Sequence, residues 1–329
     1  MSLILVTGGA GYIGSHVVKE LLGKGYQPLV YDNLQSGHRR AVKDGLLIEG
    51  DLSDRERLRQ TFRSYKVKAV MHFAASCVVG ESVKNPLKYF INNLRNSIQL
   101  LEVMEEFNVN KIVFSSSAAV YGEPLKIPIL EEHPCAPTNP YGETKWMFEK
   151  ILQASFKAGK VNYISLRYFN AAGADPEGEL GEDHSPETHL IPLVLRAALT
   201  GHPTPIFGTD YDTLDGTCIR DYIHVNDLAH AHILALQKLE QGGYSGIFNL
   251  GNGEGYSVKE VIDVARRVTG KKIAVIESPR RPGDPSRLIA GSQKIKRELG
   301  WEPRFRDLET IVKTAWNWQR NHIKIENPL

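Results

Sequence analysis

Tyr141 and Lys145 are separated by three residues in Tyr141-Gly142-Glu143-Thr144-Lys145, a spacing that sets both side chains one turn apart on one face of a helix. A phenol with a lysine so placed is equipped to act as a general base. To do so near neutrality its ordinary pKa of ~10 must fall by about 3 units, or roughly 4 kcal/mol. One cation ~6 Å away at an effective dielectric of ~20 supplies roughly 3 kcal/mol. Two positive groups are therefore needed, the ammonium and a second such as an oxidised nicotinamide ring. A tyrosine packed on a helix beside a solvated lysine has the same spacing, so the surrounding motifs must decide. The first is Ser115-Ser116-Ser117, at the end of an apolar stretch over 111–115. A hydroxyl at the carboxyl end of a strand faces the ligand side of an open α/β sheet. Tyr141 and Lys145 are catalytic candidates, and a hydroxyl of this serine cluster could touch the same substrate oxygen as Tyr141.

The elements that must position them begin at the N-terminus. Residues 3–7 are a short apolar run suited to a buried parallel strand. Gly8, Gly11 and Gly14 follow at once, and then apolar residues recur at helical spacing through Val17, Val18, Leu21 and Leu22. Strand, glycine turn and helix in that order form a cradle for a pyrophosphate, with backbone N–H groups at a helix N-terminus. Residues 28–31 read as a second strand ending at Asp32, about 20 residues beyond the glycines, where a carboxylate accepts from both ribose hydroxyls of an adenosine and repels a 2′-phosphate. NAD is expected, not NADP. A third strand over 46–51 brings Asp51 and Leu52 to the adenine edge, with Asp51 also a candidate N-cap for a helix over 55–65. A fourth, over 69–75, ends in Phe73 and Ala74, and its His72 reads as a core histidine. A long helix over 86–107 carries a wide apolar stripe and Asn92 as a candidate inward amide. Part of that stripe, with the helix bearing Tyr141, is expected to form a two-fold interface in a homodimer.

In the C-terminal half, the Gly-, Pro- and Glu-containing stretch over 174–187 reads as a surface loop at a domain boundary. Phe207 ends a strand and can stack near a base. Arg220 and Arg281 suit phosphate oxygens, and Asp284 can accept from a ribose hydroxyl. His224, His230 and His232 cluster near one helix without cysteine or carboxylate spacing around them, so no metal is expected. Trp301, Trp316 and Trp318 read as packing residues.

The totals narrow the classes. The 329 residues suit two domains. A net charge of +2 without long runs of like charge argues against nucleic acid or anionic membrane as a partner. The opening residues are broken too soon by glycine for a signal peptide, and apolar runs fall short of a membrane span. Cys77, Cys135 and Cys218 are scattered and odd in number, as in a cytoplasmic protein with reduced thiols.

Together, the Thr7-to-Gly14 motif, Ser115-Ser116-Ser117 and Tyr141-x-x-x-Lys145 resemble the extended short-chain dehydrogenase/reductase family. His72-Phe73-Ala74-Ala75, Val79-Gly80-Glu81-Ser82, Arg167-Tyr168-Phe169-Asn170, Asp215-Gly216-Thr217, Arg220-Asp221-Tyr222-Ile223-His224-Val225 and Arg281-x-Gly283-Asp284 extend the likeness nearly end to end toward its UDP-glucose 4-epimerase branch. The resemblance implies a doubly wound parallel (Rossmann) sheet over 1–172, with a segment near 222–252 returning to it. A smaller mixed α/β domain over 173–329 would take a UDP-sugar. It implies tightly held NAD, contacted by Tyr12, Ile13, Asp32, Asn33, Asp51, Leu52, Phe73, Ala74, Asn92 and Phe169, besides Gly8, Gly11, Gly14, Ser115, Tyr141 and Lys145. It implies Tyr141 as the catalytic base, Lys145 as its activator and Ser117 as the catalytic hydroxyl bonded to the sugar 4-hydroxyl, with substrate contacts from Ser117, Tyr141, Asn170, Phe207, Arg220, Arg281 and Asp284.

Two positions depart from the family pattern. A thiol, Cys77, stands where some members have a lysine. Thr188-His189 stands where many have paired asparagines, which leaves the Leu190 N–H as the phosphate contact. The reaction implied is reversible C4 epimerisation of a UDP-hexose through a 4-keto sugar, with Leu288 at a position lining the hexose pocket. Acceptance of N-acetylated or pentose UDP-sugars is the alternative. A dehydratase is disfavoured, because Ala118 and Ala119 cannot transfer protons.

Overall fold

The computed structural model describes residues 2–43, 45–281 and 283–322. Met1, Asp44, the Pro282 inside the Arg281-x-Gly283-Asp284 motif, and 323–329 at the end of the expected second domain lie outside the described residues. Seven parallel strands form the main sheet. In chain order they are β1 (Leu3–Thr7), β2 (Gln27–Asp32), β3 (Leu46–Glu49), β4 (Val67–His72), β5 (Lys111–Ser117), β6 (Asn162–Tyr168) and the strand Ser245–Leu250. Their spatial order is Ser245–Leu250, β6, β5, β4, β1, β2, β3. The order reverses between β1 and β4, where Thr7 pairs with His72, and that reversal opens the crevice in which such sheets bind ligands. Ile4, Leu5 and Val6 are fully buried, because helices cover both faces of a parallel sheet and every side chain of a central strand must be apolar. Val17, Leu21, Leu228 and Leu236 pack on one face, and Leu58, Phe62, Leu100, Val103, Phe148 and Leu152 on the other.

Smaller parts surround the carboxyl edge of this sheet. Strands Thr204–Phe207 and Val275–Ser278 pair in parallel. Ile219–Arg220 lies between Tyr256–Ser257 and Arg287–Leu288. A separate core forms from Val194, Val261, Ile262, Ile311 and Val312. Trp301, Trp316 and Trp318 are buried, as expected of packing residues.

Three local expectations are corrected. The helix over 86–107 has a π-helical turn, Phe90–Arg95, between Pro86–Tyr89 and Asn96–Glu106. Such turns insert a residue to re-aim side chains. Here Asn93 is turned inward, accepting from the Ser76 N–H at 2.8 Å and donating to the Ser76 carbonyl at 2.9 Å. The helix Arg55–Ser64 is capped by Asp54, whose carboxylate accepts from the Arg57 N–H. Asp51 instead accepts from the Ser53 N–H and hydroxyl. The stretch over 174–187 is not a plain surface loop, since Ala174, Asp175, Leu180 and Glu182 are buried in it.

Candidate functional site

The glycines shape one half of the site. Gly8 has φ +73°, and a Cβ there would lie 2.6 Å from the Ala74 nitrogen. At Gly14 a Cβ would lie 2.3 Å from the Gly8 carbonyl oxygen. Only hydrogen allows the turn to sit this close to β4 and to the helix Tyr12–Gly23. That helix starts at Gly11 without a side-chain cap and without an acidic residue in its first turn. Its first N–H groups thus stay open to an anion, reinforced by the helix dipole. Asp32 binds the turn from the side, its carboxylate accepting from the Ala10 N–H at 2.9 Å and the Leu34 N–H at 2.8 Å. Asn33 donates to Asp51 at 2.6 Å. Burial raises the Asp51 pKa, but the hydrogen bonds from Ser53 and Asn33 outweigh it and hold the carboxyl below its ordinary value. Phe73 and Ala74 both donate backbone N–H to the Thr7 carbonyl, which ties the residues after β4 to the end of β1, where the glycine turn begins. These residues fit a dinucleotide: an uncapped helix end for pyrophosphate, then Asp32 and the Asn33–Asp51 pair for an adenosine. The Tyr12 hydroxyl donates to the Gly173 carbonyl at 2.6 Å, which leaves its backbone N–H as the polar group at the open helix end.

The other half is built on β5 and the helix Pro140–Lys157. Asn139 caps that helix by accepting from the Gly142 N–H at 2.9 Å, and Pro140 occupies the first turn, where no N–H is needed. Tyr141 therefore sits in the first turn and Lys145 one turn on. Lys145 is only 4% exposed. Its Nζ donates to the Ser115 carbonyl at 2.8 Å and lies 5.8 Å from the Tyr141 ring centre. Burial pushes the ammonium down to about 8. Burial drives the Tyr141 pKa well above its ordinary value, Cys77 and Tyr168 add to that, and a hydrogen bond with Ser117 works against it. The Ser115 hydroxyl is taken by the Tyr168 hydroxyl. What Ser115 contributes is thus its carbonyl, which holds Lys145.

Beneath these residues lies a network that the spacing of the motifs did not reveal. Glu149 receives a bidentate bond from Arg167 and a 2.6 Å bond from the Ser116 hydroxyl. Arg167 also donates to the Tyr121 hydroxyl at 2.9 Å, and Tyr121 to Asn249 at 2.7 Å. Glu149 and Arg167 are both buried, so each requires the other, and the pair fixes the helix Pro140–Lys157 against β5 and β6. Asn92 is half-buried and donates to the Ser76 hydroxyl at 3.0 Å. His72 is a core histidine bridging Thr7 and Ser97. His224 caps the helix Val225–Glu240 and stacks on Phe305.

The expected substrate residues fall into pairs. Arg220 is buried and ion-paired with Asp284. The Arg281 guanidinium lies 4.1 Å from the centre of the Phe207 ring. Leu190 opens the helix Leu190–Thr200, which has no side-chain cap, so its N–H is available. Asn170 donates its N–H to the Asp221 carbonyl. Ile13, Leu52 and Phe169 are buried or half-buried beside these elements, and Leu288 packs with Phe169 against Tyr121 and Ile129.

Residues 4–251 match the NAD dependent epimerase/dehydratase family. The UDP-glucose 4-epimerase of Halalkalibacterium halodurans is 56% identical over 320 residues, covering 97% of this chain and 96% of that protein. A crystal structure of a UDP-glucose 4-epimerase superposes with a TM-score of 0.95 at 52% identity, covering 98% of both chains. That of the Bifidobacterium longum UDP-glucose 4-epimerase, in complex with NAD+ and UDP, superposes with a TM-score of 0.93 at 39% identity, covering 98% of this chain and 99% of that one. The chain thus belongs to the NAD dependent epimerase/dehydratase family, among the UDP-glucose 4-epimerases.

Proposed function

We propose that this protein interconverts UDP-glucose and UDP-galactose by reversible inversion at C4 of the hexose, with NAD as a resident cofactor. The reading is supported above all by Ser117, Tyr141 and Lys145 standing together at the end of β5, in the same parallel sheet whose β1, two strands away, leads into the glycine turn and an uncapped helix N-terminus. When bound, NAD supplies the two-electron oxidation of C4 and its reversal. Tyr141 removes the proton from the sugar 4-hydroxyl and later returns it. Ser117 holds the same oxygen. Lys145, fixed on the Ser115 carbonyl, offsets the charge on the phenolate. Burial, with Cys77 and Tyr168, raises the phenol's pKa, so neighbouring positive charge has more to supply than an exposed tyrosine would need. Ala118 and Ala119 leave no further acid or base beside Ser117, which keeps the 4-keto sugar from elimination.

Inversion requires the hexose to turn while the nucleotide stays. Arg220, Arg281 and the Leu190 N–H hold the diphosphate, Phe207 packs near the uracil, and Asp284 and Asn170 complete the UDP contacts. Residues 1–172 with the segment near 222–252 carry the cofactor, and the remainder of 173–329 carries the UDP-sugar.

The active form is a cytoplasmic homodimer. Leu87 is 69% exposed, and Val79, Val83, Ile91 and Met147 join it on neighbouring helical faces. Among the described residues no helix is long and apolar enough to cross a membrane. Purified protein given UDP-galactose and no added cofactor should yield UDP-glucose; absence of any C4 isomer overturns the reading. UDP-N-acetylgalactosamine and a UDP-pentose in parallel reactions define the sugar range. Light scattering of Leu87→Lys against the wild type tests the dimer.

A further inference from the structure

Between the strand Asn170–Ala172 and the helix Leu190–Thr200 runs Glu182-x-His184-x-x-Glu187-x-His189. One ligand-type atom from each of these four side chains lies within 4.8 Å of the other three. We propose that Glu182, His184, Glu187 and His189 form a four-ligand site for a divalent transition-metal ion, best suited to zinc, that ties this segment shut.

The geometry comes first. Zinc held tetrahedrally at about 2.0–2.1 Å sets its ligand atoms about 3.3–3.4 Å apart. Glu182 Oε1 lies 3.3 Å from His184 Nδ1 and 2.6 Å from His189 Nδ1. Glu187 Oε2 lies 3.7 Å from His184 Nδ1, and its Oε1 lies 3.2 Å from His189 Nδ1. Four side chains thus converge on one small volume. Both Nδ1 atoms are buried and neither makes a well-aligned hydrogen bond, although each faces two carboxylate oxygens. Two nitrogens and two carboxylates this close, with no aligned bond between them, are the donor set a shared cation requires.

Charge and support agree with this. The Glu182 and Glu187 side chains are only 6% and 3% exposed, and two buried carboxylates side by side need two positive charges. A divalent ion supplies both and displaces two imidazolium protons, so the cluster stays neutral either way. Imidazole and carboxylate are zinc donors, and four protein ligands make a closed, structural site with no open position. The ligands are themselves held. Glu187 Oε1 accepts from the Thr188 N–H at 2.7 Å and the His189 N–H at 2.8 Å, the outer bonds that orient a metal ligand. The exposed acids Glu177 and Glu179 nearby are different in kind, being paired with Lys19.

The location gives the ion a purpose. The His184 ring stands edge-on to Tyr12, at 6.3 Å between ring centres. Asp183 beside it receives Arg40 and, at 3.1 Å, His38 from the segment after β2. His189 immediately precedes Leu190. The ion would therefore pin the stretch that joins the glycine turn to the helix Leu190–Thr200.

The test is metal content. Full-length wild type incubated with zinc and then freed of excess by dialysis should retain about one ion per chain by elemental mass spectrometry, and His184→Gln/His189→Gln none. Cobalt in place of zinc should give the wild type, and not the double variant, the visible absorption of four-coordinate cobalt. A chelator should lower the wild-type melting temperature, and zinc should restore it, a measurement independent of how well the variant folds. Wild type that retains no zinc, and melts alike with chelator and with zinc, overturns the site and leaves a quartet held by protons alone.

Discussion

Lys145 donates its ammonium to the carbonyl of Ser115 at 2.8 Å, one helical turn beyond Tyr141. The lysine is thereby held in place while burial works against its charge. Its folded-state pKa is pushed from 10.5 down to about 8. Between those pH values the unfolded chain binds more protons than the folded one, so this group makes stability rise with pH across about 8 to 10.5 and leaves it flat below. Urea denaturation of wild type and Lys145→Met over that range isolates the effect, since other titrating groups are common to both proteins. The wild type should gain on the variant as pH rises. A constant difference would mean that the ammonium is not held in a desolvated site.

Tyr141→Phe should lower turnover by roughly 10²–10⁴, the usual worth of a positioned acid–base group, while NAD stays bound. The substitution removes one oxygen, and the glycine turn and Asp32 do not depend on it. Turnover and NAD content measured on the same preparation separate the two effects. Near-normal turnover would remove Tyr141 as the base.

Much of this was readable before folding, and the remainder had physical reasons to be hidden. Five successive residues from Leu3 to Thr7 announce a strand covered on both faces, and Gly8 a backbone at positive φ. Tyr141 and Lys145 are neighbours by helix geometry alone. By contrast, Glu149 meets Arg167 and Ser116 only because Ser116 and Arg167 are opposite each other on β5 and β6, and no local pattern encodes that register. The Arg220–Asp284 pair bridges 64 positions. The phenol's upward shift depends on burial, which spacing does not report. Glu182, His184, Glu187 and His189 were visible as letters, but a stretch rich in Gly, Pro and Glu reads as solvated, and only packing reveals its buried carboxylates.

Asp32→Ala should weaken NAD binding and admit NADP. The carboxylate accepts from the Ala10 and Leu34 N–H groups, so its loss leaves two backbone donors unpaired beside the ribose position. It also removes the charge that repels a 2′-phosphate. Calorimetric titration of cofactor-free protein with NAD and with NADP measures both. Continued exclusion of NADP would assign the selection to another residue.

Arg281→Ala should raise KM for UDP-galactose by roughly tenfold or more, the worth of a charge-assisted bond, with kcat changed far less. An unchanged KM would take Arg281 out of the diphosphate grip.

Asp284→Ala tests the neighbouring arginine in a different way. Arg220 is buried, and Asp284 is its ion-pair partner. Removing one member of such a pair strands the other, at a cost of up to about 3–5 kcal/mol when both are fully buried. Asp284 is partly exposed, so water recovers some of that. The variant should melt below wild type without ligand. A diphosphate bound beside Arg220 would restore the missing negative charge, so UDP should raise the melting temperature of Asp284→Ala by more than it raises that of wild type. The opposite result is equally informative. Equal UDP-induced shifts in the two proteins would mean that Arg220 does not face the phosphates and that the pair only joins the strand Ile219–Arg220 to the turn after Arg281.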